Sequence, residues 1–401
     1  MKCLLFAVVL LGGCEKAPVK PLAIEAYIWQ RPDRADVLQA AKDSADFISI
    51  HHVRAAELKW QNGRFLVDEA VTVMPAFRCG LVVRIGASAA GLDWTAEQVA
   101  PVAEIFGKLA ALDPVEIQCD FDCPQSRLET YSELLGILRK RCGKVPVVPT
   151  ALPSWLDEPE FAKLIAGLDP AAGYVLQVHS LVLPKNAGEA SVIFDAEEAR
   201  GYAEKASMLG KPFRIAMATY GCEVRFGADG KVIDVVSEDT GGMQGHSGRR
   251  GFALADPVSS AKLVREWSTS PPEGMSGIIW YRLPVRSDSR NWPMGSLRMV
   301  ARGEAVDCAA ELEFSGESGA RDIFMSNAGA FPVKLPERFE ISSPVKAADG
   351  AGGYRMEREG GSIFFRLRDD IWPWLDPGKK VACGWMIPSD GSVEINSDIK
   401  R

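Results

Sequence analysis

Two aspartates two residues apart, Asp120 and Asp122, close the run Val115-Glu116-Ile117-Gln118-Cys119-Asp120-Phe121-Asp122-Cys123-Pro124. The run begins as a buried strand and then places acids where a strand must end. Side chains alternate faces along a strand, so Gln118, Asp120 and Asp122 share one side, opposite Ile117, Cys119 and Phe121. A rise of about 3.3 Å per residue puts the two carboxylates roughly 6–7 Å apart. Such a pair suits acid catalysis at a glycosidic bond. One carboxyl protonates the leaving oxygen, and its neighbour's charge raises its pKa and stabilises developing positive charge. Asp122, the outer of the two, is the candidate acid, and Asp120 is the modulator.

What must position them is a parallel sheet. From about residue 22 to 290, short apolar runs alternate with helical, polar-faced stretches, the pattern of repeated βα units. The strands read as Glu25–Gln30, Phe47–His51, Leu81–Ile85, Val115–Asp122, Val145–Thr150, Gly173–His179, Phe213–Tyr220 and Gly277–Leu283. Helices begin near Asp33 and span Ala96–Leu112, Ser126–Arg141, Ala196–Leu209 and Pro257–Trp267. Eight strands over this length predict an α/β (β/α)8 TIM barrel over residues 22–292. Two excursions interrupt it: a hairpin within Lys59–Phe77, and another at Cys222–Ser237 around Ala228-Asp229-Gly230, followed by a Gly-rich loop, Thr240–Gly251. Beyond residue 296 helical periodicity fades. Short alternating strands (Ala309–Phe314, Arg321–Asn327, Ser362–Leu367, Lys380–Met386) predict a small C-terminal antiparallel β domain, sandwich-like, over 296–401.

Function in such a barrel collects at the carboxyl ends of the strands. Those ends read as polar here: Trp29 and Gln30, His51-His52, Arg84, Asp120 and Asp122, Thr150, Gln177 and His179, Tyr220, and Trp280-Tyr281-Arg282. Each residue alone has a bland reading, a structural histidine or an arginine paired across the barrel. The opposite strand ends look plain, so convergence on one rim argues for a pocket. Trp29, His51, Arg84, Gln177, His179, Tyr220, Trp280 and Arg282 are the candidate ligand contacts. Trp29 and Trp280 would offer stacking faces to sugar rings.

The N-terminus carries a different signal. Met1-Lys2 precedes an apolar run from Cys3 to Leu11, too short to span a bilayer, which takes about 20 residues. It ends in Leu11-Gly12-Gly13-Cys14, which resembles the bacterial lipobox. That resemblance implies a signal peptide over 1–13, cleavage before Cys14, a diacylglycerol on its sulfur, and a linker over 14–21. Glu15 after the lipidated cysteine suits outer-membrane sorting. The expected partners are a membrane, through the lipid, and a carbohydrate. Among 401 residues with net charge −7 no Lys/Arg cluster stands out, which argues against nucleic acid. Of nine cysteines, seven lie beyond Cys14, an odd number that leaves at least one free thiol. No Cys-x-x-Cys pair is present to make a structural zinc site, and no cofactor is expected.

Two family resemblances follow. Val115 to Asp122 is similar to the Asp-x-x-Asp-x-Asp-x-Glu strand of family 18 chitinase-like glycoside hydrolases. Asp120 matches an acidic position, Asp122 stands where the catalytic Glu would be, and Val115 and Gln118 replace the other acids. Trp280 resembles that family's floor tryptophan. Separately, Ala26-Tyr27-Ile28-Trp29-Gln30-Arg31, Gln118 to Pro124, Thr150 to Leu156 and Leu176 to Leu181 resemble a bacterial domain family of unknown function, numbered 3142. The resemblances imply a barrel, export and, from the first, glycoside hydrolysis. Two alternatives remain: a non-catalytic carbohydrate- or partner-binding lipoprotein, and a metal-dependent hydrolase with His51, His179, Asp120 and Asp122 on one ion. No Gly-x-Ser-x-Gly elbow suggests a serine hydrolase.

Overall fold

The computed structural model describes residues 20–186, 189, 191–237, 248–304, 310–316, 319–342, 344–389 and 395–396. Cys14 and the expected signal peptide before it, most of the Gly-rich loop with His246, and Cys308 lie outside the described residues.

Eight parallel strands make the expected barrel: β1 (Ala23–Ile28), β2 (Ile50–Gln61), β3 (Cys79–Ile85), β4 (Ile117–Phe121), β5 (Val147–Ala151), β6 (Tyr174–Gln177), β7 (Phe213–Ala218) and β8 (Met275–Tyr281). Each bonds to its neighbours in sequence, and β1 bonds to both β2 and β8, which closes the ring. Among the described residues seven α-helices surround it: α1 (Ala35–Ser44), α2 (Ala96–Ala110), α3 (Leu128–Cys142), α4 (Pro159–Ala166), α5 (Ala196–Ser207), α6 (Pro257–Thr269) and α7 (Met294–Ala301). Where sequence signals are strong, the local reason is plain. Asp195 and Asp256 accept the first backbone N–H groups of α5 and α6, and Pro257 opens α6 where no N–H is needed.

The strands carry two populations of side chains. Tyr27, Val82, Val148, Val175, Ala216 and Ile279 pack along the barrel axis. The alternate residues face the helices and join the main core, with Phe106, Tyr131, Trp155, Phe161 and Trp267 among its largest members. Strands buried on both faces read as nearly unbroken apolar runs, which is why their number was legible and their facing was not.

The second strand departs most from expectation. It runs Ile50–Gln61 rather than Phe47–His51, and then turns back through a strand at Arg64–Glu69. Arg54-Ala55-Ala56-Glu57-Leu58-Lys59 is made of good helix formers, and pairing with β1 and β3 overrides that local preference. No helix separates β2 from β3. The second excursion is a three-stranded sheet of Gly221–Phe226, Val232–Val236 and Arg250–Leu254 between β7 and α6. Gly230, at φ 78°, supplies the left-handed turn residue of its hairpin.

The C-terminal region is the expected small antiparallel β domain. One four-stranded antiparallel sheet contains Glu311–Ser315, Arg321–Ser326, Lys380–Pro388 and Val345–Gly350. The other contains Tyr354–Glu359, Ser362–Leu367, Arg338–Ile341 and Ile395–Asn396. Ile323, Met325 and Met386 from the first meet Phe339, Tyr354 and Phe365 from the second in a separate core. Phe331, by contrast, packs into the barrel's core, and Ser296 of α7 donates to the Ala330 carbonyl at 2.7 Å. The six described cysteines beyond Cys14 are buried free thiols.

Below the rim the barrel interior is polar, contrary to the plain ends read from sequence. Arg214 donates to Glu25 at 2.9 Å and to Glu116 at 2.7 Å. His52 Nε2 lies 2.7 Å from Glu25, and its Nδ1 lies 3.1 Å from the Gln118 amide nitrogen. Gln118 also donates to Glu116 at 2.8 Å and accepts from the Tyr27 hydroxyl at 2.6 Å. Every member is buried. Space for this layer comes partly from Gly80, where a Cβ would stand 2.5 Å from His52 Nδ1.

Candidate active site

Asp120 is the last inward-facing residue of β4, and Asp122 follows on the loop one step beyond the strand. Arg84, next to last in β3 and register partner of Asp120, bridges them. Its guanidinium donates to Asp120 Oδ2 at 2.7 Å and reaches Asp122 Oδ2 at 3.4 Å. The other Asp120 oxygen accepts from Thr150 at 3.0 Å and Gln177 at 2.8 Å. Asp120 is therefore a fixed, 3 % exposed carboxylate held by donors from three neighbouring strands.

Asp122 is freer and electrostatically different. Burial raises its pKa, and the charge of Asp120 raises it further, while Arg84 pulls it down; the net direction is up. Its side chain keeps 39 % exposure, so it faces the cleft mouth. Arg84 is held in its charged form against burial by Asp120 and Asp122. Two carboxylates sharing one guanidinium favour either a proton or a cationic group beside them.

The cleft over this pair has a volume of about 710 Å³ and includes Tyr27, Trp29, Arg84, Asp120, Asp122, Gln177, His179, Tyr220 and Tyr281 in its lining. Trp29 lies just past β1, its carbonyl accepting from Arg54 at 3.1 Å. Its ring stands edge-on to Tyr281 at 5.1 Å, with the Arg84 guanidinium 5.9 Å from its centroid. His179 stacks on Tyr281 at 4.8 Å and meets Tyr220 edge-on. Burial pushes His179 down to about 4, against the pull of Asp120, so it is a neutral ring at ordinary pH. Burial pushes the Tyr220 hydroxyl up to about 12, which leaves it a protonated donor.

Of the residues expected here, Asp120, Asp122, Trp29, Arg84, Gln177, His179 and Tyr220 come together. Three others do not. His51 stands near the start of β2 and faces outward, 2.9 Å from Ser44 Oγ and edge-on to Phe77. Burial pushes it down to about 4, with the His52 charge adding to the effect. The proposed metal set of His51, His179, Asp120 and Asp122 therefore does not converge. Among the described residues no group of three or more His, Cys, Asp or Glu is arranged to hold an ion. Trp280 also points outward; it is wholly buried and packs on Trp292 at 5.8 Å. Arg282 is 1 % exposed and is bound to Asp288 at 2.6 Å and the Ser237 carbonyl at 2.8 Å, behind Tyr220.

Tyr27 was missed, and Tyr281, though placed at its strand end, was left out of the candidate ligand contacts. Tyr281 is the inward neighbour of outward Trp280, and counting by twos from Ile279 would have found it, had the facing of Ile279 been known. Trp280→Phe should accordingly lower stability by about 1–3 kcal/mol through a cavity against Trp292, while leaving ligand affinity within about twofold. Thermal unfolding and titration of the same variant separate the two effects.

A family model described as a domain of unknown function, DUF3142, matches residues 81–286, just over half of the chain. A second domain of unknown function, DUF8456, matches residues 310–387. No curated protein matches the chain. Among solved structures it is similar to chitinase ChiA74 from Bacillus thuringiensis, with 9% identity over 94% of this chain and 99% of that one, at a TM-score of 0.45. It is also similar to a chitinase from Chromobacterium violaceum (12% identity, 70% and 98% coverage, TM-score 0.47). A third is a GH27 β-L-arabinopyranosidase from Geobacillus stearothermophilus (12%, 93% and 98%, TM-score 0.38).

Proposed function

This chain belongs to the DUF3142 family, domains of unknown function, and we propose that its barrel rim binds a carbohydrate and hydrolyses a glycosidic bond, with Asp122 as general acid. The observation that carries this reading is the division of labour between the two acids. Asp120 is fixed by Arg84, Thr150 and Gln177, whereas Asp122, at the mouth, has its pKa raised by burial and by Asp120. That is the separation of environments an acid and an electrostatic partner require.

In the proposed step the Asp122 carboxyl gives its proton to the glycosidic oxygen as the bond to the anomeric carbon breaks. The leaving group departs as an alcohol, and the Asp120 carboxylate faces the positive charge left on the sugar. Water then adds to the anomeric carbon, and the proton it sheds returns to Asp122. Trp29 offers aromatic surface to the sugar, backed by Tyr281, one face of which His179 covers, and His179, being neutral, offers a hydrogen bond without a competing charge. The test is digestion of a panel of aryl glycosides and peptidoglycan glycans, with Asp122→Asn as control.

One observation favours a second reading, a sugar-binding protein without turnover. The outer acid carries only the short arm of an aspartate, and Arg84 already contacts it. Equal binding by wild type and Asp122→Asn, with turnover by neither, would decide for that reading.

We further propose that the mature chain is anchored through a lipid on Cys14 and faces the periplasm from the outer membrane, as Leu11-Gly12-Gly13-Cys14 and Glu15 suggest. Cys14→Ala should abolish labelling by radioactive fatty acid and move the protein out of the membrane fraction. Unchanged labelling would exclude the anchor.

A further inference from the structure

The cleft does not end at the acids. Past Gln177 and His179, the chain after β6 folds back on itself: Val182 and Val192 form an antiparallel bridge at 2.9 Å, and Ser180 donates to the Ile193 carbonyl at 3.0 Å. This two-stranded flap lines the same cavity as Arg84 and Asp122, and Leu181, Val182, Val192 and Ile193, backed by Phe194, form an aliphatic strip along it, with Ser180, Asp195, Glu198 and Tyr202 at its edge. Val182 is 62 % and Val192 42 % exposed, with Leu183 beside them at 54 %. Branched apolar side chains so exposed at a cleft margin mark a surface made to be covered. A second sugar is a poor fit, since hydroxyls need polar partners and rings need flat faces. Of the nearby Asp195 carboxylate, Oδ1 is committed to the N–H groups of Glu197 and Glu198 at the start of α5.

We propose that the ligand is amphiphilic: a sugar seated over Asp120 and Asp122 whose aglycon is a hydrocarbon chain lying along the Leu181–Val182 flap, as in a glycolipid headgroup. The occupant follows from continuity, because one cavity runs from the charged pair to the aliphatic flap. The inference rests on the carbohydrate reading above, but it concerns binding and so can fail separately from hydrolysis.

The experiment measures dissociation constants of methyl, hexyl and octyl β-D-glucosides, β-D-galactosides and N-acetyl-β-D-glucosaminides, below their micelle-forming concentrations. Each fully buried methylene tightens binding by about fourfold, so a partly open flap should give roughly 30-fold or more between methyl and octyl. Val182→Asp, at an exposed position, should reduce that ratio below about threefold and leave the methyl glycoside unaffected. An octyl series that binds no tighter than the methyl series, or fails to bind, overturns the inference. So does a chain-length gradient that survives Val182→Asp, since the hydrocarbon would then lie elsewhere. A gradient without turnover leaves the inference standing and removes the hydrolytic reading; turnover without a gradient does the reverse.

Discussion

Arg214→Met should destabilise the barrel by about 3–5 kcal/mol, the usual cost of removing one partner from a buried ionic group. Its guanidinium joins Glu25 and Glu116, two carboxylates that are 3 % and 7 % exposed inside the barrel. Without it the two carboxylates lose the cation they share, and Glu25 keeps only His52 as a charged partner. The pH dependence has a definite sign. Burial pushes the Glu25 pKa up, but the hydrogen bond and charge of His52 and the charge of Arg214 outweigh it and hold the group below 4.5. A lowered folded pKa stabilises the fold above the unfolded value, and that contribution is lost as pH falls through the folded pKa. Wild type should therefore lose this contribution as pH falls below 4.5, and Arg214→Met should unfold in acid at a higher pH than wild type. Adding Glu25→Gln and Glu116→Gln to Arg214→Met should restore part of the loss. Chemical denaturation of the three proteins checks this. A single-variant loss under about 1 kcal/mol would mean the layer contributes little.

Asp122→Asn should lower turnover by about 10²–10⁴-fold while changing sugar affinity little, because only proton transfer in the transition state is removed. Activity of the wild type should fall as pH rises through the raised Asp122 pKa, since the acid works only while protonated. Stability runs the same way. The folded state holds this proton more tightly than the unfolded chain, so stability is lost as pH climbs from 3.8 towards the folded value. Asparagine carries no such loss, and Asp122→Asn should be as stable as wild type at neutral pH, or more so. Removing the neighbouring charge in Asp120→Asn should shift the basic limb of the pH profile to lower pH. A variant that keeps full turnover in Asp122→Asn would remove this residue from the chemistry.

The number of strands, the closure into a barrel and the trailing β domain were legible because each parallel strand is a short apolar run punctuated by polar turns. The acids were legible too: Asp120 and Asp122 stand at a strand end, where a core position would be costly. Facing was not legible. Ile278, Ile279, Trp280 and Tyr281 are all apolar or aromatic, so nothing in their alternation says which pair looks inward; Trp280 was chosen as a ligand contact and its neighbour Tyr281 was not. In β2 the failure was register. His51 and His52 were read as a strand end, when the run of Ala and Glu after them continues the strand. His51 thereby falls among the helices and His52 into the interior layer. That layer was invisible for a related reason: Glu25, His52, Glu116 and Arg214 lie far apart in sequence, and only ring closure brings them together.

The most direct measurement is the release of new reducing ends when the purified chain acts on the glycoside and glycan panel in isotopically heavy water, read by mass spectrometry. The expected result is one heavy oxygen gained per bond cleaved, with reducing ends released about 10²–10⁴-fold more slowly by Asp122→Asn than by wild type. Sugars that bind in the cleft yet release no reducing end, across the whole panel and at every pH, would contradict hydrolysis and leave a binding site.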